Sequence, residues 1–349
     1  MKRNYGIDLL RMAAMLFVAA LHVIGIGGII TGSEVLSGQF LTAQLLRIAM
    51  LCAVNCYALI SGFVGWSRRP KLSGVAMLWL KALLYCVVIT AGFSRFYPLD
   101  FKTALSALLP VTTGQYWYLT AYVGLFVLMP LLNFAVQKMP KKELTITISG
   151  IILLFCILPI SPLTDAFYLH DGYSAAWLAV VYLLGGYLGK YDVLSRLSVG
   201  KWGLVYLAAV LFAWAPRMLA LKLLPSLWDM ANGNIIIEYT SPTILLAAVS
   251  LLAIFSRQSL PGWAEKTVTA LSPHAFGVYL LHSHPLMFRY VLENRFVSLG
   301  TASMGELILT VFAAALLIYT IGTAVDWLLC AILRFLKIDR GLKKLDHLF

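Results

Sequence analysis

The first apolar run of the chain, residues 7–30, carries three side chains able to do chemistry: Asp8, Arg11 and His22. Arg11 and His22 stand eleven positions apart, which at ~100° per residue is three turns plus roughly 20°, so one helix face carries both, about 16 Å apart along the axis. Asp8, three residues before Arg11, falls on the same stripe. Histidine accepts and returns a proton near neutral pH, which suits it to general acid–base work. A cation in a membrane-length helix costs at least ~2.5–3.5 kcal/mol, so this face is expected to point into a protein interior or a wet cavity. Two plainer roles stay open: Arg11 can snorkel to the nearer interface paired with Asp8, and His22 can serve as an interhelical hydrogen-bond partner.

A second dense stretch lies late in the chain, where Ser272, His274, Tyr279, His282, His284 and Arg289 fall within eighteen residues. Tyr279 and His282 share a helix face, whereas His284, two residues on, diverges from His282 by ~200°. With no acid or thiol beside them in the sequence, a metal site is not expected there. Between these stretches Arg47, Asn55, Tyr57 and Ser61 mark a second apolar run and Lys81 a third. The five cysteines all lie in or at the ends of apolar runs and read as small buried hydrophobes.

The elements that must position these residues are membrane helices. The chain has 349 residues, 61% hydrophobic and 12% charged, against roughly 25% charged in a soluble domain. Apolar runs at 7–30, 40–65, 72–94, 117–136, 144–160, 175–189, 203–221, 239–256, 267–292 and 303–333 predict an all-α polytopic bundle of about ten transmembrane helices. Residues 1–333 form the membrane domain and 334–349 a basic cytoplasmic tail. The net charge of +12 reflects bases gathered in alternate loops. Arg68, Arg69 and Lys71, and Lys138, Lys141 and Lys142, follow the second and fourth runs, while 31–39 and 161–174 contain no Lys or Arg. The positive-inside rule then places both termini in the cytoplasm, and topology rather than nucleic acid accounts for the charge. Arg95, Lys102, Lys222 and Arg295 are exceptions on the far side. Gly185, Gly186 and Gly189 predict close helix packing.

Four motifs in chain order resemble the acyltransferase-3 family, integral membrane enzymes that move acyl groups, usually acetyl, onto envelope carbohydrates and related acceptors. They are Arg11 and His22 in the first run; Arg47 followed by an aromatic-bearing run closing on Ser61-Gly62-Phe63; Trp117-Tyr118-Leu119 opening the fourth; and Gly277-Val278-Tyr279-Leu280-Leu281-His282 in the ninth. Asn55 and Tyr57 stand where the family's second run is often rich in Phe. The resemblance implies an acyl-CoA-dependent O-acetyltransferase of a bacterial inner membrane, with acetyl-CoA as a donor substrate approached from the cytoplasm, a hydroxyl acceptor, and neither a bound cofactor nor a metal. His22 is expected to take the acceptor proton, and Arg11 to hold a CoA phosphate or position the thioester. Arg68, Arg69 and Lys71 are expected to attract the nucleotide phosphates. Asp8, Arg47, Ser61, Trp117, Tyr279 and His282 are expected to complete a polar site. The alternative is a membrane carrier for an amino acid or sugar, such as the membrane region of a vancomycin-resistance serine racemase, whose membrane part also resembles this family.

Overall fold

The computed structural model describes residues 3–158, 165, 167–224, 226 and 237–347. Among them the structure is all-helical, with no strand. The elements that matter below are α1 (Tyr5–Gly25), α2 (Ile29–Gly32), α3 (Gly38–Leu51), α4 (Ala53–Gly65), α5 (Leu72–Ser94), α6 (Phe101–Leu108) and α7 (Trp117–Lys138). They continue with α8 (Lys141–Ile152), α9 (Ala175–Tyr191), α10 (Val199–Leu223), α11 (Pro242–Phe255), α12 (Gly262–Leu271), α13 (Ala275–His282), α14 (Met304–Phe335) and α15 (Ile338–Lys343).

Six stretches among the described residues are long and apolar enough, by length and composition, to cross a membrane: Tyr5–Gly32, Gly38–Gly65, Leu72–Ser94, Trp117–Lys138, Val199–Leu223 and Met304–Phe335. The other four predicted runs are helical but shorter or broken. Residues 159 and 160 of the fifth lie outside the described residues, and its helix α8 passes into a π-helical turn, Leu153–Ile157. α9 is 17 residues long and α11 is 14. The ninth run divides at Ser272-Pro273-His274 and again at His284-Pro285, because proline donates no backbone hydrogen bond and clashes with the preceding turn. Such breaks are tolerated at membrane depth where surrounding protein supplies partners for the freed groups.

α1 is the axis of the bundle. It packs against α3, α4, α11, α13 and α14, and its start is fixed by Asn4, whose side chain accepts from Ile7 N (3.1 Å) and donates to the Ser256 carbonyl (2.7 Å). At the opposite end Asn294 N and Phe296 N donate to the carbonyls of Ile26 and Gly27, and Gln39 donates to the Ala302 carbonyl. The carboxylate of Asp346 accepts from both the backbone N–H and the hydroxyl of Ser73, 2.8 Å each. Residues 3–5 and 346 therefore lie at one end of the bundle and residues 26–39, 94–97 and 294–304 at the other. The outward faces of α10 and α14 expose Leu207, Phe212, Leu309, Leu316 and Trp327, a surface that suits hydrocarbon and not water.

The closest helix contact pairs α4 with α9. It depends on Gly62 and Gly185, where an added Cβ would run into the backbone carbonyls of Tyr182 and Leu59. Gly62→Ala is expected to cost about 1–3 kcal/mol, the usual range for overpacking, and to lower the thermal unfolding temperature in detergent. Gly74→Ala, where the added carbon meets open space, is expected to leave it unchanged.

Candidate active site

Asp8, almost fully buried, joins the start of α1 to two guanidinium groups. Arg3 Nε donates to Oδ2 at 2.7 Å and Arg11 Nη1 donates to Oδ1. The Arg11 side chain keeps about a third of its surface exposed (32%). The plain pairing and an additional role at the exposed part are therefore compatible. Tyr57 on α4 donates its hydroxyl to the Arg11 carbonyl at 2.6 Å, and Ser61 donates to the Tyr57 carbonyl at 2.8 Å. Tyr319 on α14 presents a buried hydroxyl with no hydrogen-bond partner among the described residues.

Three turns further along α1, His22 meets His282, the last residue of α13. His22 Nδ1 lies 3.0 Å from His282 Nε2, and His282 Nδ1 lies 2.6 Å from the Val278 carbonyl. A carbonyl only accepts, so His282 Nδ1 carries the proton, and in a neutral ring its Nε2 is then the acceptor. His22 must donate from Nδ1, which leaves the lone pair of a neutral His22 on Nε2. This tautomer is assigned from the hydrogen-bond chain. Ser283 Oγ also stands 3.3 Å from His282 Nε2. Phe288 closes one flank with its ring edge-on to His22 at 4.8 Å between centroids.

His284 has a different task. Its Nδ1 accepts from Leu286 N at 3.2 Å and caps the next turn, so the two histidines of the His-x-His pair are committed to separate structural partners. Tyr279 faces both His282 (6.5 Å between ring centroids) and Tyr118 (6.4 Å). Tyr118 in turn meets Tyr57 edge-on and stacks near Tyr122. Aromatic rings thus run from the Arg11 region on α1 and α4 to the histidine pair.

Trp117 lies on the other side of this lining, 4.4 Å from Tyr173 and 5.9 Å from Tyr239 between ring centroids. Arg47, well inside α3, is half-buried. Asn55 is a packing residue here: fully buried, it donates to the Tyr239 carbonyl (2.8 Å) and accepts from Trp177 Nε1 (3.0 Å). Arg68, Arg69 and Lys71 sit exposed in the loop between α4 and α5, at the Arg11 end of the bundle, and none of them bonds to Arg11.

A buried ionic cluster is missing from the sequence reading. Lys81 Nζ donates to both carboxylate oxygens of Asp326 (3.0 and 2.9 Å), and His274 Nδ1 lies 2.7 Å from Oδ2. Tyr85 donates to Oδ1 at 3.4 Å. The available signal was one acid, Asp326, in the last apolar run and one base, Lys81, in the third, each costly alone in a bilayer. His274, Asp326 and Cys330 bring potential metal-ligand atoms within 4.8 Å of one another. The Lys81 ammonium already occupies both Asp326 oxygens.

A bundle of membrane-length helices with a histidine pair, a partly exposed arginine and an aromatic lining running between them has the make-up of a membrane-embedded enzyme. The chain belongs to the acyltransferase-3 family: the family's sequence model, described as an acyltransferase domain, matches residues 4–329. The match takes in every motif quoted above and defines the protein as a membrane acyltransferase. Neither a curated protein nor a solved structure matches the chain significantly.

Glu238 directly precedes Tyr239, just before α11 and outside the spanning helices. Burial, and then the Asp171 and Asp165 carboxylates beside it, push its carboxyl up to about 7. This lies above the ordinary glutamate value of 4.5, so this group's contribution to stability is complete below about pH 4.5 and is lost as pH climbs through 7. Glu238→Gln is therefore expected to flatten the fall in thermal unfolding temperature between about pH 5 and pH 8. An equally steep fall in the variant would show that Glu238 is not its source.

Proposed function

We propose that the protein transfers an acyl group, acetyl foremost, from acyl-CoA to a hydroxyl of an envelope carbohydrate or another small acceptor. The observation that carries this reading is the chain Val278 carbonyl to His282 to His22, which fixes the tautomer that leaves His22 Nε2 able to accept a proton. His22 takes the acceptor O–H proton as that oxygen attacks the thioester carbonyl. When the C–S bond breaks, the imidazolium returns the proton to the departing CoA thiolate. His282 holds the ring of His22 in orientation, as the third member of a nucleophile–base–orienter arrangement does. The Tyr279 hydroxyl is assigned to the oxyanion that forms on the carbonyl.

Arg11, about 16 Å from His22 along α1, is assigned to the donor, at a distance the pantetheine arm can cross while the thioester rests near His22. The unpartnered Tyr319 hydroxyl supports a polar ligand in this region. Arg68, Arg69 and Lys71 attract the nucleotide phosphates at the same end, and Asp8 and Ser61 hold Arg11 and Tyr57 in place. Trp117 and Arg47, with Tyr173 and Tyr239, form the acceptor side, where flat rings suit the apolar faces of a sugar. This reading uses about ten membrane crossings, with α8, α9, α11 and the broken segment from α12 to residue 292 completing the six long helices. It places both termini in the cytoplasm of a bacterial cell with the donor.

Calorimetric titration of the purified protein with acetyl-CoA tests the reading. Binding is expected in the parent, weakened in Arg11→Ala and retained in His22→Ala. Acyl transfer in His22→Ala is expected to fall by roughly 10²–10⁴, the usual contribution of a general base. Absence of acetyl-CoA binding by folded parent protein would overturn the proposal, and transport of an amino acid or sugar without thioester consumption would establish the carrier.

A further inference from the structure

Beside the last turns of α5, at the end of the bundle opposite residues 3–5 and 346, lies a cavity of about 500 Å³. Its walls are apolar and aromatic: Ile89, Gly92 and Phe93 from α5, Tyr97 just beyond it, and Met287 and Tyr290 from the segment after α13. Tyr97 and Tyr290 stack with centroids 3.9 Å apart, and Phe93 stacks on Tyr290 at 5.5 Å. Tyr290 belongs to a π-helical turn, Phe288–Leu292. Single turns of this kind often mark functional positions.

The rim carries positive charge fixed by the same residues that form the wall. The Arg289 guanidinium lies 5.4 Å from the Tyr290 ring centroid. Arg295 Nη2 donates to the Tyr290 carbonyl at 3.2 Å. Arg95 follows directly on α5 and, like the other two, is exposed. The acids nearby are Glu293, which is exposed, and Asp100, whose carboxylate caps α6 by accepting from Thr103 N. Positive-inside topology depletes this end of bases, and loops 31–39 and 161–174 there contain none. Of the exposed bases at this end, Arg95, Arg289 and Arg295 flank this one greasy cavity, a grouping that the positive-inside rule does not explain.

We propose that this cavity holds the hydrocarbon chain of an anionic phospholipid, with its phosphate among Arg95, Arg289 and Arg295. Apolar walls with a cationic rim at a membrane interface match a lipid's two parts, chain below and phosphate above. The site adjoins the histidine pair, because Phe288, between Met287 and Arg289, is the ring that packs on His22. It is an independent property of the chain and holds whether or not acyl-CoA is the donor.

The test is native mass spectrometry of the detergent-purified protein titrated with phosphatidylglycerol or phosphatidylcholine. The parent is expected to bind phosphatidylglycerol about tenfold more tightly, in keeping with the pull of a few basic side chains on an anionic lipid. The double variant Arg289→Gln/Arg295→Gln is expected to bind the two lipids equally. Gly92→Trp, where an added side chain starts into open space, is expected to fill the cavity and weaken both. Equal binding of the two lipids by the parent overturns the proposal. So does a preference that survives the arginine variant, or binding that survives Gly92→Trp.

Discussion

The carboxylate of Asp326 is the point on which the rest of the bundle depends. Fully buried on α14, it is held by Lys81 of α5, by His274 just before α13, and by Tyr85. A charge removed from water at that depth is tolerated only when its partners are close and its lone pairs are filled, and removing one partner of such a pair commonly costs 3–5 kcal/mol. Gly277, the third residue of α13, approaches so closely that any side chain there would strike Asp326. The cluster thus fixes both the depth and the rotation of α13. Five residues after that glycine, His282 arrives opposite His22.

Two rigid pieces therefore meet at the histidine pair: a continuous helix, α1, that carries Arg11 and His22 in a fixed relation, and a short helix pinned at its start by the contact of His274 with the buried Asp326. Low dielectric makes each hydrogen bond between them worth more than in water, and makes an unpaired group correspondingly costly. His282 meets this requirement by using a carbonyl of its own helix, so no further polar residue is needed behind it. Aromatic rings fill the space around the pair, where they exclude water and present hydroxyl groups at intervals.

Much of this was legible in the sequence, though unevenly. The shared face of Arg11 and His22 follows from helical periodicity alone, and so does the pairing of Asp8 with Arg11. The link between His22 and His282 joins positions 260 apart; the family resemblance singled out both residues, but helix periodicity contains nothing that predicts their contact. Six apolar runs are recovered as long helices, while α9, α11 and the run from 267 to 292 are shorter or broken. Hydropathy records how apolar a stretch is and is insensitive to a proline whose lost hydrogen bond is made good by neighbouring protein. Asp326 escaped notice because one acid scarcely lowers the mean of a 32-residue helix, and its meaning appears only beside Lys81 and His274. The glycines of α9 were readable as packing residues, since a backbone can come close only where no Cβ intervenes.

The tie between Asp346 and Ser73 has an electrostatic consequence. Accepting two hydrogen bonds, the Ser73 backbone N–H foremost, holds the Asp346 carboxyl below its ordinary range. It also folds the helix α15, with Arg340 and Lys343, back onto the start of α5. There the sequence has already placed Arg68, Arg69 and Lys71. Two basic segments far apart in the chain are thereby merged into one field of like charge, which concentrates counterions over a single patch. Screening lengths are ~10 Å at 0.1 M ionic strength, so the attraction of that patch for a polyanion is set by salt as much as by any single contact.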